Sequence, residues 1–242
     1  MKIISLVPSI TETLFDLGLT DEEIIGRTKF CIHPGNAVKN VAVIGGTKNV
    51  NIEKIKSLKP DLIIANKEEN VKEDVEELQK YFKVLVTDVS NLKDNEYLLE
   101  VLGKLLNKEE TAENYNSKIE EIFEDHQSSK KNTCAYLIWK NPYMTVGGDT
   151  FIHDILDKTG FENIFKDRKR YPEISVDEMK TAEFIFLSSE PFPFQQKHIF
   201  ELQKQLPNSK FILVDGEAFS WYGTHLVKCA ADYFKDLKEQ CK

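Results

Sequence analysis

Two histidines, His33 and His225, lie in or beside predicted loops that could line a ligand site. His33 follows an apolar residue and precedes a proline in the predicted loop 30–35, so we expect its ring to be held in place. A neutral imidazole there could ligate a metal carried inside a bound ligand. The alternative is a loop histidine that only makes hydrogen bonds. His225 ends a second predicted loop, 216–225.

A different kind of binding group is predicted at the start of the first helix. Pro8 and Ser9 follow a short apolar strand, and Ser9 with Glu12 fits the S-x-x-E pattern of a capping box. The unpaired N–H groups and the positive dipole end of a first helical turn suit a carboxylate or propionate. Pro8 and Ser9 are therefore candidate ligand-binding residues.

Aromatic side chains are frequent in the predicted loops. The run Phe-Ser-Trp-Tyr-Gly at 219–223 precedes a predicted helix, where core packing explains an aromatic side chain less well. Aromatic faces suit a large, flat or partly apolar ligand. The candidate ligand-binding aromatics are Trp139, Tyr143, Tyr171, Phe192, Phe219, Trp221 and Tyr222.

The sequence offers little for catalysis. It lacks GxSxG, Walker A and HExxH motifs, and it has no GxGxxG followed by an acidic residue at the right distance. His153 and His198 fall in predicted helices; we expect His153 to be structural or exposed and His198 to lie on the surface. We therefore predict no enzyme and no cofactor, with metal present only as part of a ligand.

Alternating strands and helices in both halves position these loops. Asn51 precedes IEKIK and the apolar strand 61–65, as Ser175 precedes VDEMK and the strand 184–187. This alternation predicts parallel sheets wrapped by helices. Ligands of open α/β sheets bind outside the carboxyl ends of the strands, so two such lobes would share a cleft.

The middle of the chain separates the two halves. Asn107 followed by Glu110 fits a capping box, which predicts a helix from about Lys108 to His126. We interpret it as a long helix joining two lobes; an ordinary pair of core helices is the alternative. The predicted domains are an N-terminal α/β lobe, a linking backbone helix and a C-terminal α/β lobe, at 1–106, 107–130 and 131–242.

Composition limits the partners. The 242 residues include 40 acidic and 32 basic side chains, a net charge of −8, which argues against nucleic acid. Four cysteines without CxxC spacing do not predict a zinc site or a disulfide framework. No apolar run reaches transmembrane length, and the N-terminus leads directly into a strand pattern without an export leader.

Four stretches resemble one known family. LVPSITETLFDLG, GGTKNVNIEKIKSLKPDLIIA, GFENIFKD and WYGTHL occur in the order typical of type III (cluster A) periplasmic substrate-binding proteins. These proteins serve ABC importers of vitamin B12, haem and ferric siderophores, and are also called helical-backbone metal receptors. The resemblance covers nearly the whole chain. It implies two βα lobes joined by a long rigid helix, a ligand in the interlobe cleft, and no catalysis.

The resemblance also implies roles for single residues. His33 stands where the B12-binding member has a Tyr against the corrin, and Tyr171 matches the Trp of that member's Trp-Pro. Thr47 stands where that member has a stacking Trp, a departure that weakens the case for cobalamin itself.

Family members dock on their permease through one acidic residue at the tip of each lobe. Glu53 matches the first of these acids, and Asp177 or Glu178 matches the second, with Asp177 preferred.

The expected function is that of a monomeric substrate-binding protein. It would capture a metal chelate (cobalamin, haem or a ferric siderophore) in the cleft and deliver it to an ABC permease, with small lobe movements. This requires an extracytoplasmic location and hence a leader that was removed. The alternative is a cytosolic corrinoid or metal-chelate carrier or enzyme without a transporter partner; a third is an interaction scaffold.

Overall fold

Two compact units make up the chain. The computed structural model describes residues 1–124 and 132–241, without the side chains of 229–231. The first unit contains residues 1–89, 94–116 and 222–225, and the second contains the remainder. Tyr222–His225 therefore belongs to the first unit although the residues on either side of it belong to the second.

The first unit is built on a sheet of five parallel strands, with a separate small hairpin. The strands are β1 (Ile3–Ser5), β2 (Ile24–Arg27), β3 (Ala42–Val43), β4 (Gly45–Gly46), β5 (Asn49–Val50), β6 (Leu62–Asn66) and β7 (Val84–Thr87). The sheet order is β3-β2-β1-β6-β7, and β4 pairs antiparallel with β5. The carboxyl ends of the five parallel strands therefore share one edge, as predicted.

Helices of the first unit begin and end at recognisable signals. They are α1 (Pro8–Asp16), α2 (Ile52–Leu58), α3 (Lys72–Gln79) and α4 (Leu92–Leu106). Asn51 caps α2 by accepting the N–H of Lys54 at 2.9 Å, as predicted. Gly18, at φ +92°, ends α1 with its N–H on the Phe15 carbonyl.

Asn107 ends α4 rather than capping the next helix. It is left-handed, with φ 56°, and Lys108 donates its N–H to the Gly103 carbonyl at 2.8 Å. This is the hydrogen bond that closes a helix in a Schellman motif. The capping box predicted at Asn107 and Glu110 is therefore wrong, because the backbone of Asn107 is already committed to the preceding helix.

The next helix, α5 (Glu109–Glu124), contributes to both units. Its residues up to Asn116 belong to the first unit and those from Ser117 to the second. Residues 125–131, including the predicted end at His126, lie outside the described residues. That α5 acts as a stiff link between two lobes stays a prediction.

A mixed sheet forms the centre of the second unit. Its strands are β8 (Asn132–Trp139), β9 (Tyr143–Thr145), β10 (Phe161–Asn163), β11 (Glu173–Ile174), β12 (Phe184–Ser188) and β13 (Lys210–Val214). The order is β11-β9-β8-β12-β13, with β10 paired to β8. β8, β10, β12 and β13 are parallel as predicted, but β9 runs antiparallel to both of its neighbours. The short 140–142 link permits only an antiparallel return, because a parallel crossover needs a dozen residues or more.

Helices of the second unit follow the same rules. They are α6 (Phe151–Lys158), α7 (Gln196–Gln203), α8 (Gly216–Ser220) and α9 (His225–Gln240), whose first residue belongs to the first unit. Thr150 caps α6 by accepting the N–H of His153, as predicted. Ser175 forms a capping box with Glu178, but the helix that follows is only a 3-10 turn, Val176–Met179.

Each unit has its own apolar core. In the first, Ile4, Leu6 and Ile63 of the sheet pack with Ile55 of α2 and Leu78 of α3. In the second, strand residues of β8 and β12 pack with α7 and with Phe194. Within the described part of the chain, no helix combines the length and the apolar character that crossing a bilayer requires.

Candidate functional site

Ser9 lies inside α1 rather than ahead of it. The helix begins at Pro8, its N-cap is Val7, and no side chain caps it. The predicted capping box is wrong, because the Glu12 side chain contacts His225 instead of returning to the first turn. Ser9 is buried, and its Oγ has no hydrogen-bond partner in the described part of the chain. A first helical turn with an unpartnered buried hydroxyl remains suited to a polar ligand group.

The segment Tyr222–His225 is attached to α1 and α4 by buried hydrogen bonds. Gly223 donates its N–H to Asn95 Oδ1, and the N–H of Thr224 reaches Thr13 Oγ1 at 3.2 Å. The Thr224 hydroxyl bonds the carboxylate of Asp16. His225 Nδ1 lies 2.7 Å from Glu12 Oε2, and both side chains are buried. Sequence patterns could not reveal these pairs, since each joins residues at least 128 positions apart.

His33 lies at the carboxyl edge of the first sheet, in the loop after β2. Its ring is half-buried, and its centroid lies 6.0 Å from that of His225 at an interplanar angle of 39°. Phe30 and Ile32 of the same loop are 49% and 50% exposed. Neither of these apolar side chains was among the predicted ligand-binding residues. Their place in the predicted loop 30–35 could have identified them as candidates.

Cys31 contributes to this loop as a buried anchor. Its Sγ accepts a hydrogen bond from Thr11 Oγ1 at 3.0 Å and lies 3.2 Å from Thr28 Oγ1. Burial raises the pKa of the Cys31 thiol, and the two threonine hydroxyls only partly offset this effect. The thiol is therefore neutral at physiological pH, which suits a packing role and not that of a metal-binding thiolate.

Thr47 lies in the turn of the β4–β5 hairpin and is half-buried. Asn70, which the sequence analysis missed, ties this turn to the strand edge: its amide donates to the Thr47 carbonyl at 3.1 Å and to the Leu6 carbonyl at 3.3 Å. Asn70 also accepts the N–H of Asn66 at 2.8 Å. The turn is thus held beside the end of β1.

Aromatic rings gather at the carboxyl edge of the second sheet. Trp139, the last residue of β8, is 40% exposed and lies 5.8 Å from the Phe192 ring. Phe192 contacts Phe194 at 4.8 Å and His198 at 5.3 Å. The predictions for Trp139 and Phe192 thus fall on one cluster of rings, in which Trp139 is exposed and Phe192 is half-buried.

His198 is buried, so its predicted surface position is wrong. Its Nδ1 accepts the N–H of Gln195 at 2.9 Å, which turns the ring inward at the start of α7. Burial lowers the pKa of His198, and the nearby Lys140 lowers it further. The ring is therefore neutral at physiological pH and packs as an aromatic.

Tyr143 and Tyr171 lie on neighbouring segments of this unit, and both are half-buried. Tyr143 pairs with Ile174 across β9 and β11, and Tyr171 lies two residues before β11.

A Cβ atom on Gly148 would lie 2.0 Å from the Lys166 carbonyl oxygen, and one on Gly147 would lie 2.4 Å from that of Arg168. The two glycines therefore let the segment 166–172 lie directly against the chain beyond β9.

The run at 219–223 is not an exposed loop. Phe219 belongs to α8 and is fully buried, with its ring centroid 5.1 Å from those of Tyr136 and Phe234. Core packing therefore explains Phe219, and its interpretation as a loop residue is corrected. Trp221 and Tyr222 are also buried. In contrast, Trp139 presents a large exposed area, so the structure separates residues that the sequence analysis grouped.

The three acidic candidates for docking differ in their surroundings. Glu53 is 84% exposed and pairs with Lys56, and Asp177 is 82% exposed and pairs with Lys180. Glu178 instead accepts the N–H of Ser175 and pairs with Arg168. The Ser175 backbone hydrogen bond, followed by the one from Arg168, lowers the pKa of Glu178 to about 2. Glu178 is therefore a structural acid, which leaves Asp177 as the better match to Glu53.

The fold and the site define a class of protein. The profile of the periplasmic binding protein family matches residues 3–205. The chain therefore belongs to the periplasmic binding protein family, and the resemblance stated from the sequence is confirmed. The named relatives are binding proteins, so the prediction of a protein that is not an enzyme is also confirmed.

Similar proteins come from several bacteria. A vitamin B12-binding protein of Vibrio vulnificus is 29% identical over 195 residues, which cover 77% of this chain and 71% of that protein. The ABC transporter substrate-binding lipoprotein YvrC of Bacillus subtilis is 28% identical, over 72% of this chain and 58% of that protein.

Solved structures show the same fold. The periplasmic vitamin B12 binding protein BtuF of Vibrio cholerae has a TM-score of 0.80 at 21% identity, covering 99% of this chain and 98% of that one. The haem-binding protein RhuT of Roseiflexus has a TM-score of 0.81 at 15% identity, covering 100% and 99%. The predicted α/β class with two βα lobes is confirmed by this agreement.

Proposed function

We propose that this protein captures a metal chelate (cobalamin, haem or a ferric siderophore) and delivers it to an ABC permease. The observation that carries the proposal is the family match together with candidate binding groups at the carboxyl edges of both sheets. Relatives of this family bind vitamin B12 and haem, as their names state. Of these chelates, haem offers flat faces to aromatic rings and propionates to a helix N-terminus, and the corrin of cobalamin offers a flat face.

The loop after β2 of the first sheet offers both apolar side chains and an imidazole for ligand binding. Phe30 and Ile32 present exposed apolar surface beside the half-buried His33 ring. The His33 imidazole is the proposed ligand of the metal within the chelate. Within the described residues no cluster of three or more His, Cys, Asp or Glu side chains could hold a metal ion of its own. The metal in this proposal therefore arrives inside its chelate.

The second sheet supplies an aromatic face. Trp139 is the most exposed member of the ring cluster, and Tyr143, Tyr171 and Phe192 are half-buried residues of the same unit. When an aromatic ring packs against a flat macrocycle, both lose contact with water. The complex is stabilised by roughly 25 cal/mol per Å² of apolar surface removed from water. We infer that binding is dominated by these faces.

Membership of the family supports the proposal that the chelate is delivered to an ABC permease. We propose that Glu53 and Asp177 are the acidic docking residues and that the protein works outside the cytoplasm as a monomer. Both acids are highly exposed, and each lies in the first turn of its helix or 3-10 turn. An exposed acid in the first turn of a helix also interacts favourably with the helix dipole. Exposure alone therefore does not identify a docking residue. The matched position in both units supports the docking role.

A panel of chelates tests the proposal. Purified protein is titrated with cyanocobalamin, haemin and several ferric siderophores, with chelate absorbance and tryptophan fluorescence as readouts. We expect one class to bind saturably and to quench fluorescence, since Trp139 is exposed and the chain has only two tryptophans. Trp139→Phe should bind the chelate more weakly, as measured by chelate absorbance, because it lacks the exposed indole face. Absence of saturable binding by every chelate would refute the proposal, and chemical turnover of a chelate would favour an enzyme instead.

A further inference from the structure

A buried acid–histidine pair lies directly behind the candidate metal ligand. The Glu12 and His225 side chains are 4% and 5% exposed and meet at 2.7 Å between Oε2 and Nδ1. His225 in turn faces His33, with ring centroids 6.0 Å apart. The three side chains therefore form a line from the interior of α1 to the loop after β2.

Stability alone accounts poorly for this pair. Burying a carboxylate and an imidazole removes both from water, and apolar residues of the same volume are often as stabilising or more so. What such a pair does provide is orientation. An ionised carboxylate only accepts, so it requires the proton on His225 Nδ1 and holds the ring in one tautomer and one plane.

The backbone that carries His225 is fixed as well. Gly223 donates to Asn95 Oδ1, and Thr224 bonds both Thr13 and Asp16. His225 therefore presents one ring face in a constant place. His33, in contrast, belongs to a loop and is only half-buried. Its ring orientation depends on its neighbours, and the His225 ring is one of them.

We propose that Glu12 and His225 are positioning residues that fix the His33 ring for contact with the metal of the bound chelate. The inference rests on the proposed function. It adds two residues that act through His33 and do not themselves touch the ligand. Groups that orient a ligating histidine typically change metal affinity by 10–100-fold when removed. The same range is expected here for the rate at which a chelate dissociates.

Three variants separate this role from a structural one. Glu12→Gln keeps the shape of the side chain but removes its charge, and His225→Asn keeps a short polar group near Glu12 but removes the ring that faces His33. Glu23→Gln is the matched control: it makes the same chemical change as Glu12→Gln, in an acid of the first unit that accepts the N–H of Thr20 at 3.0 Å. Circular dichroism and thermal melting establish that each variant folds; if Glu12→Gln does not, His225→Asn carries the test.

The first measurement needs no chelate. In protein labelled with ¹⁵N-histidine, long-range NMR spectra resolve the ring nitrogens, and a His33→Ala sample assigns those of His33. We expect the His33 ring signals to move in Glu12→Gln and His225→Asn, and to stay at wild-type positions in Glu23→Gln. Wild-type His33 signals in both test variants would overturn the inference.

The second measurement uses haemin as the probe. We expect haemin to dissociate about 10–100-fold faster from Glu12→Gln and His225→Asn than from wild type, with a shifted Soret band, while Glu23→Gln behaves as wild type. Equal dissociation rates in all four proteins, with His33→Ala altered, would overturn the inference but leave the proposed function standing. If the wild type binds no haemin, the haem arm of the proposed function fails, and the NMR result alone decides the positioning role.

Discussion

Thr13 occupies the space that a side chain on Gly223 would need. A Cβ atom on Gly223 would lie 2.1 Å from Thr13 Oγ1, and Gly223 is left-handed with φ +84°. Thr13 cannot easily turn away, because its Oγ1 donates to the Ser9 carbonyl and accepts the N–H of Thr224. This close approach fixes the segment Tyr222–His225 on α1 and thereby places His225 beside Glu12.

Gly223→Ala should therefore destabilise the protein. A left-handed conformation costs an alanine about 1–2 kcal/mol, and the overlap with Thr13 adds about 1–3 kcal/mol. We expect a loss of about 2–5 kcal/mol in the free energy of unfolding, measured by urea denaturation. Gly35→Ala is the control, because the nearest atom to its Cβ would be 3.9 Å away. Equal stability of the two variants would show that the contact with Thr13 is easily relaxed.

Gly148→Ala should weaken chelate binding through Tyr171. Its Cβ atom would lie 2.0 Å from the Lys166 carbonyl oxygen, which is backbone and cannot rotate aside. The segment 166–172 must then move away from β9 and carry Tyr171 with it. We expect about tenfold weaker binding of the chelate that the panel selects, about 1.4 kcal/mol, measured by fluorescence titration.

Lys169→Ala provides the matched control for that experiment. Lys169 lies in the same segment with an exposed side chain, and its removal leaves the contact with Gly148 intact. Binding should stay at the wild-type level. If Gly148→Ala also binds as wild type, Tyr171 takes no part in the site.

Protonation of Glu178 should lower the stability of the folded protein as the pH falls into the acid range. Hydrogen bonds from Ser175 and Arg168 lower its pKa from 4.5 to about 2, so the folded state holds the proton less tightly than the unfolded chain. The stabilisation is complete above pH 4.5 and is lost as the pH falls toward 2. The melting temperature of Glu178→Gln should lie below that of wild type at pH 7, and the two values should converge near pH 2.

The neighbouring acid serves as the comparison for this pH series. Asp177 is highly exposed and pairs only with Lys180 among the contacts described. Asp177→Asn should track the wild-type melting curve across the same pH range. A constant difference between wild type and Glu178→Gln at every pH would contradict the role assigned to its hydrogen bonds.

Charge reversal at the two exposed acids tests docking. Glu53→Lys and Asp177→Lys should leave chelate affinity unchanged and abolish stimulation of the permease ATPase in reconstituted membranes. Glu73→Lys is the control, since Glu73 is also an exposed acid in the first turn of a helix, α3. Loss of chelate binding in Glu53→Lys or Asp177→Lys would mean that these acids belong to the ligand site.

Local signals in the sequence predicted most elements correctly. The cap at Asn51, the cap at Thr150 and the helix-ending Gly18 each act within a few residues, so their patterns can be recognised without the fold. The parallel strands followed from apolar runs between helices. The antiparallel β9 was missed because its residues are few and its direction depends on the short link from β8.

Long-range contacts account for only part of the errors at the site. Ser9 and Glu12 fit a capping box, yet Glu12 bonds a histidine 213 residues away. His198 fits a surface helix, yet a hydrogen bond from Gln195 turns it into the aromatic cluster. Phe219 was read as part of a loop because the short helix α8 carries too few residues for a periodic pattern. Only the capping-box error therefore depends on a partner distant in the sequence, whereas the errors at His198 and Phe219 have local causes.

The central claim is that the chain binds one metal chelate and releases it unchanged. The most direct measurement is equilibrium dialysis of purified protein against the chelate that the panel selects, followed by mass spectrometry of the recovered chelate. The account predicts saturation at one chelate per chain, with its mass unaltered after release. A chelate that binds without saturation, or that is recovered chemically changed, would contradict it.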